Sequence, residues 1–166
     1  MTESSLQILT KSPGETAKIG ETLAGLLSGG EIIGFSGDLG TGKTVCIQGI
    51  CRGLGVRQKV TSSSFVIMRS LAGRIAVNHF DLYRLEDPEE LIDLGYEEFL
   101  FSDSVALVEW AERLGRLMGE EYLMVTLEYG EENDEERLIT LTASGERYER
   151  LIGELRLQNI GKEWQP

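Results

Sequence analysis

Hydrophobic residues near the start of the chain recur at helical spacing, and a buried strand pattern follows them. The segment at residues 12–15, SPGE, predicts a helix start with a capping serine, a proline in the first helical position and a glutamate that completes a capping box. The pair Gly29-Gly30 predicts where this helix ends. Its apolar face consists of Ile19, Leu23, Leu26 and Leu27. Residues 31–36, EIIGFS, resemble a buried parallel strand.

Helical spacing of apolar residues and short apolar strand patterns predict further helices and strands in the rest of the chain. Strands are predicted at residues 6–10, 64–71, 74–80, 105–108, 122–129 and 137–143, and helices at residues 43–54 and 146–158. Ala72-Gly73 should join one strand pair as a hairpin, and an acidic loop should join the last pair. Asp87-Pro88 predicts one more helix start. The order predicts a three-layer α/β domain with a mixed, mostly parallel central sheet and antiparallel hairpins.

Length and charge narrow the possible functions. The 166 residues suit one domain spanning 1–166, and no apolar run approaches the roughly 20 residues that cross a bilayer. Because the first residues lack the pattern of a signal peptide, we expect a cytoplasmic protein. The net charge of −12 disfavours binding to nucleic acid by this chain alone, since like charges repel. One histidine and two cysteines without a Cys-x-x-Cys spacing offer no zinc site.

The strongest motif follows the predicted strand at residues 31–36. It matches the phosphate-loop pattern G-x-x-x-x-G-K-[ST], which places the domain among P-loop NTPase-like folds. Its glycines let successive backbone N–H groups point at phosphate oxygens, and the next helix adds its positive N-terminal end. The lysine should reach the β and γ phosphates, and the threonine hydroxyl should bind Mg²⁺. The motif residues are Gly37, Asp38, Leu39, Gly40, Thr41, Gly42, Lys43 and Thr44.

Two acids are candidates to complete a nucleotide and Mg²⁺ site. Glu109 ends the apolar strand at residues 105–108, so it should lie at the carboxyl edge of the sheet, where ligands bind in such folds. Asp81 ends another predicted strand and is equally compatible with an ordinary surface role. His79 and Trp110 lie next in sequence to these acids, and from residue type alone packing is the favoured role for both.

Several motifs together resemble the TsaE family, also called YjeE. After the phosphate loop come VTSSSF at residues 60–65, HFDLYRL at 79–85, DPEEL at 87–91, and VEW at 108–110. The resemblance is strong from about Thr16 to Trp110. It implies a P-loop ATPase that works with TsaD and TsaB, which together with TsaC form N6-threonylcarbamoyladenosine at position 37 of certain tRNAs. It also implies weak turnover by the chain alone, with the tRNA reached only through the complex.

The resemblance also implies roles for individual residues. Lys43 and Thr44 would serve phosphate and Mg²⁺, Glu109 would be the second acid on the Mg²⁺ side, and Trp110 would lie near the nucleotide. Asp81 would be the acid required for hydrolysis and would orient the attacking water.

Two further positions carry less specific assignments. The family usually has Ser-Pro-Thr where this chain has Ser62-Ser63-Ser64, in a segment that acts like a switch loop near the γ-phosphate. Without the proline, φ is no longer fixed there, although Ser64 keeps a hydroxyl that could contact Mg²⁺ or the γ-phosphate. Arg137 occupies a place where members often have a basic residue near the base or ribose.

Two other functions remain open at this stage. A small-molecule P-loop kinase would need an arginine-bearing lid over the transferred phosphate, and Arg113 and Arg116 form the nearest cluster. A non-hydrolytic switch would use ATP only to set a conformation for partner binding. Because the chain has no Asn-Lys-x-Asp string that would select guanine, a GTPase is disfavoured.

Overall fold

A seven-stranded mixed sheet organises the residues that the computed structural model describes, which are 4–61 and 66–158. The strand order across the sheet is β1-β7-β6-β2-β5-β4-β3. The strands are β1 (Ser5–Thr10), β2 (Ile32–Ser36), β3 (Met68–Leu71), β4 (Val77–Asp81), β5 (Val105–Glu109), β6 (Tyr122–Tyr129) and β7 (Arg137–Ser144). The mixed sheet and both hairpins agree with the sequence prediction, although β3 and β4 begin later than predicted.

Parallel pairing is confined to the four central strands of this sheet. β2 pairs in parallel with both β5 and β6, and β4 pairs in parallel with β5. The outer pairs β1–β7, β6–β7 and β3–β4 are antiparallel, so parallel pairings are three of the six within the described residues. The central strands therefore bring their carboxyl ends to one edge of the sheet, where a ligand can be held.

Helices cover both faces of the sheet and make the three layers. They are α1 (Pro13–Ala24), α2 (Lys43–Gly53), α3 (Glu89–Asp93), α4 (Glu97–Leu100) and α5 (Glu146–Leu157), with short 3-10 turns at Ala111–Arg113 and Gly115–Met118. One apolar cluster packs α1, α2 and α5 against one face, and a second packs α3, α4 and the 3-10 turns against the other. No helix in the described ranges is long and apolar enough to cross a membrane.

Helix α1 begins where the sequence predicts, but it ends earlier than predicted and its N-terminal capping contacts differ from the predicted capping box. The Ser12 side chain accepts the N–H of Glu15 at 3.2 Å, as a capping serine does. The Glu15 carboxylate, however, accepts the N–H of Lys11 at 2.6 Å, so the predicted reciprocal capping box is replaced by a contact one residue earlier. The helix stops at Ala24, before the predicted Gly29-Gly30. Residues 25–27 continue as single turns with i to i−3 hydrogen bonds.

Glycines let α1 and α2 approach each other closely. A Cβ built on Gly49 of α2 would lie 2.0 Å from the carbonyl oxygen of Ala17, and one built on Gly20 of α1 would lie 2.3 Å from that of Cys46. Neither backbone oxygen can move aside without moving its helix. This contact holds α2, whose first residues belong to the phosphate loop, against α1.

We predict that Gly49→Ala will lower the free energy of unfolding by about 1–3 kcal/mol, the usual cost of overpacking a close contact. Urea denaturation should measure the loss. The matched control is Gly153→Ala in α5, where a Cβ meets no atom within 4 Å. That substitution should raise the free energy of unfolding by roughly 0.5–1 kcal/mol, because alanine loses less entropy than glycine on entering a helix. Equal stabilisation by both variants would contradict the close approach.

Candidate functional site

The phosphate loop connects β2 to α2 and lies at the carboxyl edge of the sheet. Gly37, Gly40 and Gly42 have φ values of 141°, 81° and 100°, a region that favours glycine. A Cβ on Gly37 would also lie 2.4 Å from the carbonyl oxygen of Leu127. Gly42 precedes α2 and has no side chain with which to cap it, so the first N–H groups of the helix are directed into the loop. Such an N-terminus attracts anions.

Lys43 folds back over the loop that it follows. Its Nζ donates to the carbonyl oxygens of Gly37 at 2.6 Å and Asp38 at 2.8 Å, and lies 4.1 Å from the centre of the Trp110 ring. Burial lowers the pKa of the Lys43 amine from its ordinary value, while nearby carboxylates, Glu109 foremost, act in the opposite direction. The charged amine is therefore held by neutral oxygens and an aromatic face beside the loop.

Thr44 and Glu109 meet directly, although 65 positions separate them in sequence. The Thr44 hydroxyl donates to Glu109 Oε1 at 2.6 Å, and the other carboxylate oxygen, Oε2, lies 2.8 Å from His79 Nε2. Glu109 is 2% exposed. Because an ionised carboxylate is costly to bury without partners, these two contacts stabilise it at the sheet edge. A threonine hydroxyl beside a carboxylate is an oxygen ligand set of the kind Mg²⁺ prefers.

Asp81 lies beside Glu109 at the end of the neighbouring strand. The two residues are partners in the parallel register of β4 and β5, and the Leu82 N–H continues the pairing by donating to the Glu109 carbonyl at 3.2 Å. Asp81 Oδ1 accepts the N–H of Tyr83 at 3.1 Å, and the residue is 9% exposed. The structure thus brings both predicted acids to one edge of the sheet, next to the phosphate loop.

Trp110 adopts a backbone conformation that non-glycine residues rarely use. It is the one non-glycine residue with positive φ within residues 4–61 and 66–158, at φ 59° and ψ 43°. This conformation costs roughly 1–2 kcal/mol, so surrounding contacts must compensate. The indole packs against Tyr83, with ring centres 5.1 Å apart, and against the cations of Lys43 and Arg113. The turn therefore brings the ring from the end of β5 to the phosphate loop.

Arg137 and Tyr129 hold the phosphate loop from the side opposite Glu109. Arg137 Nε donates to the Thr41 carbonyl at 2.9 Å and its Nη2 to the Gly40 carbonyl at 3.3 Å. The Tyr129 hydroxyl donates to the Leu39 carbonyl at 2.6 Å, and its ring lies 4.7 Å from the Arg137 guanidinium. In this structure Arg137 thus supports the loop backbone, and the predicted contact with base or ribose stays a prediction.

A cleft of about 220 Å³ opens between these groups. It is lined by Leu39, Gly40, Gly42, Lys43, Thr44, Val45, Glu109 and Trp110. Ser64 lies outside the described residues. Residue type alone missed the contact that His79 makes with Glu109. Strand alternation places His79 on the same face of β4 as Asp81, but the contact with Glu109 also requires β4 and β5 to be neighbours.

The chemistry of the lining suits a triphosphate with Mg²⁺. Backbone N–H groups, one lysine and a helix N-terminus are donors for phosphate, while Thr44 and Glu109 supply hard oxygen ligands. Fold and loop together define the class, a P-loop NTPase-like α/β domain.

Comparison with known proteins narrows this class to one family. The family model described as "Threonylcarbamoyl adenosine biosynthesis protein TsaE" matches residues 10–139. The chain belongs to the TsaE family.

Individual relatives agree with this assignment. A Bacillus subtilis protein named tRNA threonylcarbamoyladenosine biosynthesis protein TsaE is 38% identical over 147 residues, covering 88% of this chain and 90% of the relative. A protein of the same name from Streptomyces coelicolor is 41% identical over 137 residues, covering 79% and 92%. The crystal structure of YdiB from Bacillus subtilis superposes with a TM-score of 0.84 at 32% identity, covering 96% of this chain and 99% of that one.

We predict that Arg137→Met will speed amide hydrogen exchange in loop residues 38–42 by about 5- to 30-fold. Hydrogen bonds to a charged group are worth roughly 1–2 kcal/mol here, and their loss should make local opening easier. Mass spectrometry of exchanged peptides measures the change without any ligand. Arg150→Met, on α5, is the control and should leave loop exchange unchanged. Identical exchange in the Arg137 variant and the unaltered protein would show that the guanidinium does not support the loop.

Proposed function

We propose that this chain is the ATP-binding and ATP-hydrolysing subunit of the complex that forms N6-threonylcarbamoyladenosine at position 37 of tRNA, and that it acts in the cytoplasm with TsaD and TsaB. The observation that carries the ATPase part is the Thr44–Glu109 hydrogen bond of 2.6 Å beside the phosphate loop, with Asp81 on the adjoining strand. The family description and the names of the relatives support the pathway.

Each side chain of the site has a distinct task in this proposal. Loop N–H groups and Lys43 bind the phosphates, and Lys43 exchanges its contacts with the Gly37 and Asp38 carbonyls for phosphate oxygens. Thr44 and Glu109 would hold Mg²⁺, which would supply positive charge to neutralise the bound phosphates. Trp110 lines the cleft beside Lys43 and would lie near the bound nucleotide.

Asp81 is the residue that would orient the attacking water. Its carboxylate lies at the same sheet edge as Glu109 and is largely buried, and the Tyr83 N–H fixes one of its oxygens. A carboxylate in this position can accept a hydrogen bond from water and align it with the γ-phosphate. Glu109 is bound to Thr44 and His79, and the family resemblance assigns the acid required for hydrolysis to Asp81.

The surface charge supports action through partner proteins. A net charge of −12 opposes direct binding to tRNA, so a partner should hold the RNA. The kinase alternative is less well supported because Arg113, one of the two arginines considered for a lid, donates to the Leu85 carbonyl at 2.7 Å and lies over the Trp110 ring. That arginine is engaged by the domain itself.

We predict that the purified chain will hydrolyse ATP slowly, and that a TsaB–TsaD pair will stimulate hydrolysis by at least about tenfold, equivalent to roughly 1.4 kcal/mol of barrier. Phosphate release measures both rates, and bovine serum albumin at equal concentration serves as the protein control. The assignment fails if the pair neither binds the chain nor increases its turnover. Rapid phosphoryl transfer to a metabolite would support the kinase instead.

We predict that Asp81→Asn will keep nucleotide affinity within about twofold while lowering stimulated ATP hydrolysis on the order of 100-fold, the usual contribution of a positioned acid or base. Calorimetry and phosphate release provide the two measurements. Asp93→Asn, at an exposed position on α3, is the matched control and should change neither. Undiminished hydrolysis in the Asp81 variant would remove Asp81 from the mechanism. Absent hydrolysis in the unaltered protein with partners would favour the non-hydrolytic switch.

A further inference from the structure

We propose that His79 is a positioning residue for Glu109, holding this carboxylate so that it faces Thr44 and a bound Mg²⁺. The inference rests on the proposed nucleotide and Mg²⁺ function and adds to it a residue that neither the phosphate loop nor the two acids supply. It is carried by one buried contact, the 2.8 Å distance between His79 Nε2 and Glu109 Oε2.

The sheet register brings His79 to this position. On β4, residues 77, 79 and 81 point to the face that α2 covers, and on β5 residues 105, 107 and 109 point to the same face. His79 pairs with Leu107 in the parallel ladder, two residues before the pair Asp81 and Glu109. The imidazole can therefore reach diagonally to the carboxylate from the neighbouring strand.

Both partners of this contact are nearly inaccessible to solvent. The side chains of His79 and Glu109 are 4% and 3% exposed. A carboxylate in such surroundings needs a hydrogen-bond donor at each oxygen, because water cannot supply one. Thr44 is the donor at Oε1, and His79 Nε2 lies within hydrogen-bond distance of Oε2. An ionised carboxylate only accepts hydrogen bonds, so Nε2 carries the hydrogen in this pair.

The two hydrogen-bond donors to Glu109 would respond differently to Mg²⁺ binding. The Thr44 hydroxyl is itself a metal ligand in the proposed site, so its hydrogen bond to Glu109 must adapt when the metal binds. His79 is not a metal ligand in the proposed site, so its contact with Glu109 can persist both with and without bound Mg²⁺. His79 thus keeps the carboxylate orientation constant, as outer partners of metal ligands do, and their removal typically costs 10- to 100-fold in metal affinity.

The test compares two amides that differ in reach. In His79→Gln the amide N–H can occupy nearly the place of Nε2, whereas in His79→Asn it falls short by one methylene. Calorimetry measures ADP binding at a series of Mg²⁺ concentrations and again in EDTA. We expect His79→Asn to need about 10- to 100-fold more Mg²⁺ for its half-maximal effect, with affinity in EDTA within about twofold of the unaltered protein. His79→Gln should recover most of the Mg²⁺ response.

Asn78→Leu is the matched control, since Asn78 is buried on the same strand but faces away from the site. Its side chain donates to the Phe99 carbonyl at 2.9 Å and accepts from Ser70 at 2.8 Å. This variant should lower the free energy of unfolding without changing the Mg²⁺ response. If His79→Asn does not fold, His79→Leu is the second variant without the donor, and the same shift is expected.

The outcomes separate the inference from the function on which it rests. An unchanged Mg²⁺ response in a folded variant without the donor would make His79 a packing residue and overturn the inference alone. Failure of His79→Gln to recover the response would overturn it as well. Absence of any Mg²⁺ effect on nucleotide binding by the unaltered protein would overturn the proposed function, and the inference with it.

Discussion

Parallel pairing of β2, β4 and β5 is the constraint on which the candidate site depends. Parallel strands end at one edge, so the phosphate loop after β2 and the acids that end β4 and β5 meet although they are far apart in sequence. A shift of one residue in the β4–β5 register would turn Asp81 and His79 to the other face of the sheet. The apolar cores on both faces oppose such a shift, because each strand buries alternate residues in different clusters.

Burial determines how the charges of the site behave. Glu109 and Lys43 both lie in the cleft, yet Lys43 is bound to loop carbonyls and Glu109 to Thr44 and His79. Each ion is satisfied mainly by polar groups instead of by a direct ion pair with the other. The Lys43 contacts are weaker than contacts to a phosphate, and the Thr44–Glu109 contact is weaker than contacts to a metal ion, so these two can be exchanged when a ligand binds. The side chains of the site are therefore ordered before a ligand binds, and the ligand can still replace some of their contacts.

The sequence predicts those parts of the site that depend on local spacing. The phosphate loop follows from its residues alone, and the positions of Asp81 and Glu109 follow from apolar strands that end in an acid. The contact between His79 and Glu109 depends on which strands are neighbours, which a local pattern does not contain. The end of α1 at Ala24 was missed because residues 25–27 continue in tight turns, so the apolar spacing outlasts the helix.

The two sides of the phosphate loop show why its support could not be assigned from residue type. On one side β5 contributes Glu109, which binds Thr44, and on the other β6 and β7 contribute Tyr129 and Arg137, which bind the loop carbonyls. An arginine near a P-loop is equally suited to a ligand and to backbone oxygens, so residue type alone does not predict the contacts that Arg137 makes with the loop. Since β6 pairs with β2 and β7 with β6, the hairpin is fixed relative to the strand from which the loop begins. The shape of the loop is therefore maintained by the whole central sheet and not by its glycines alone.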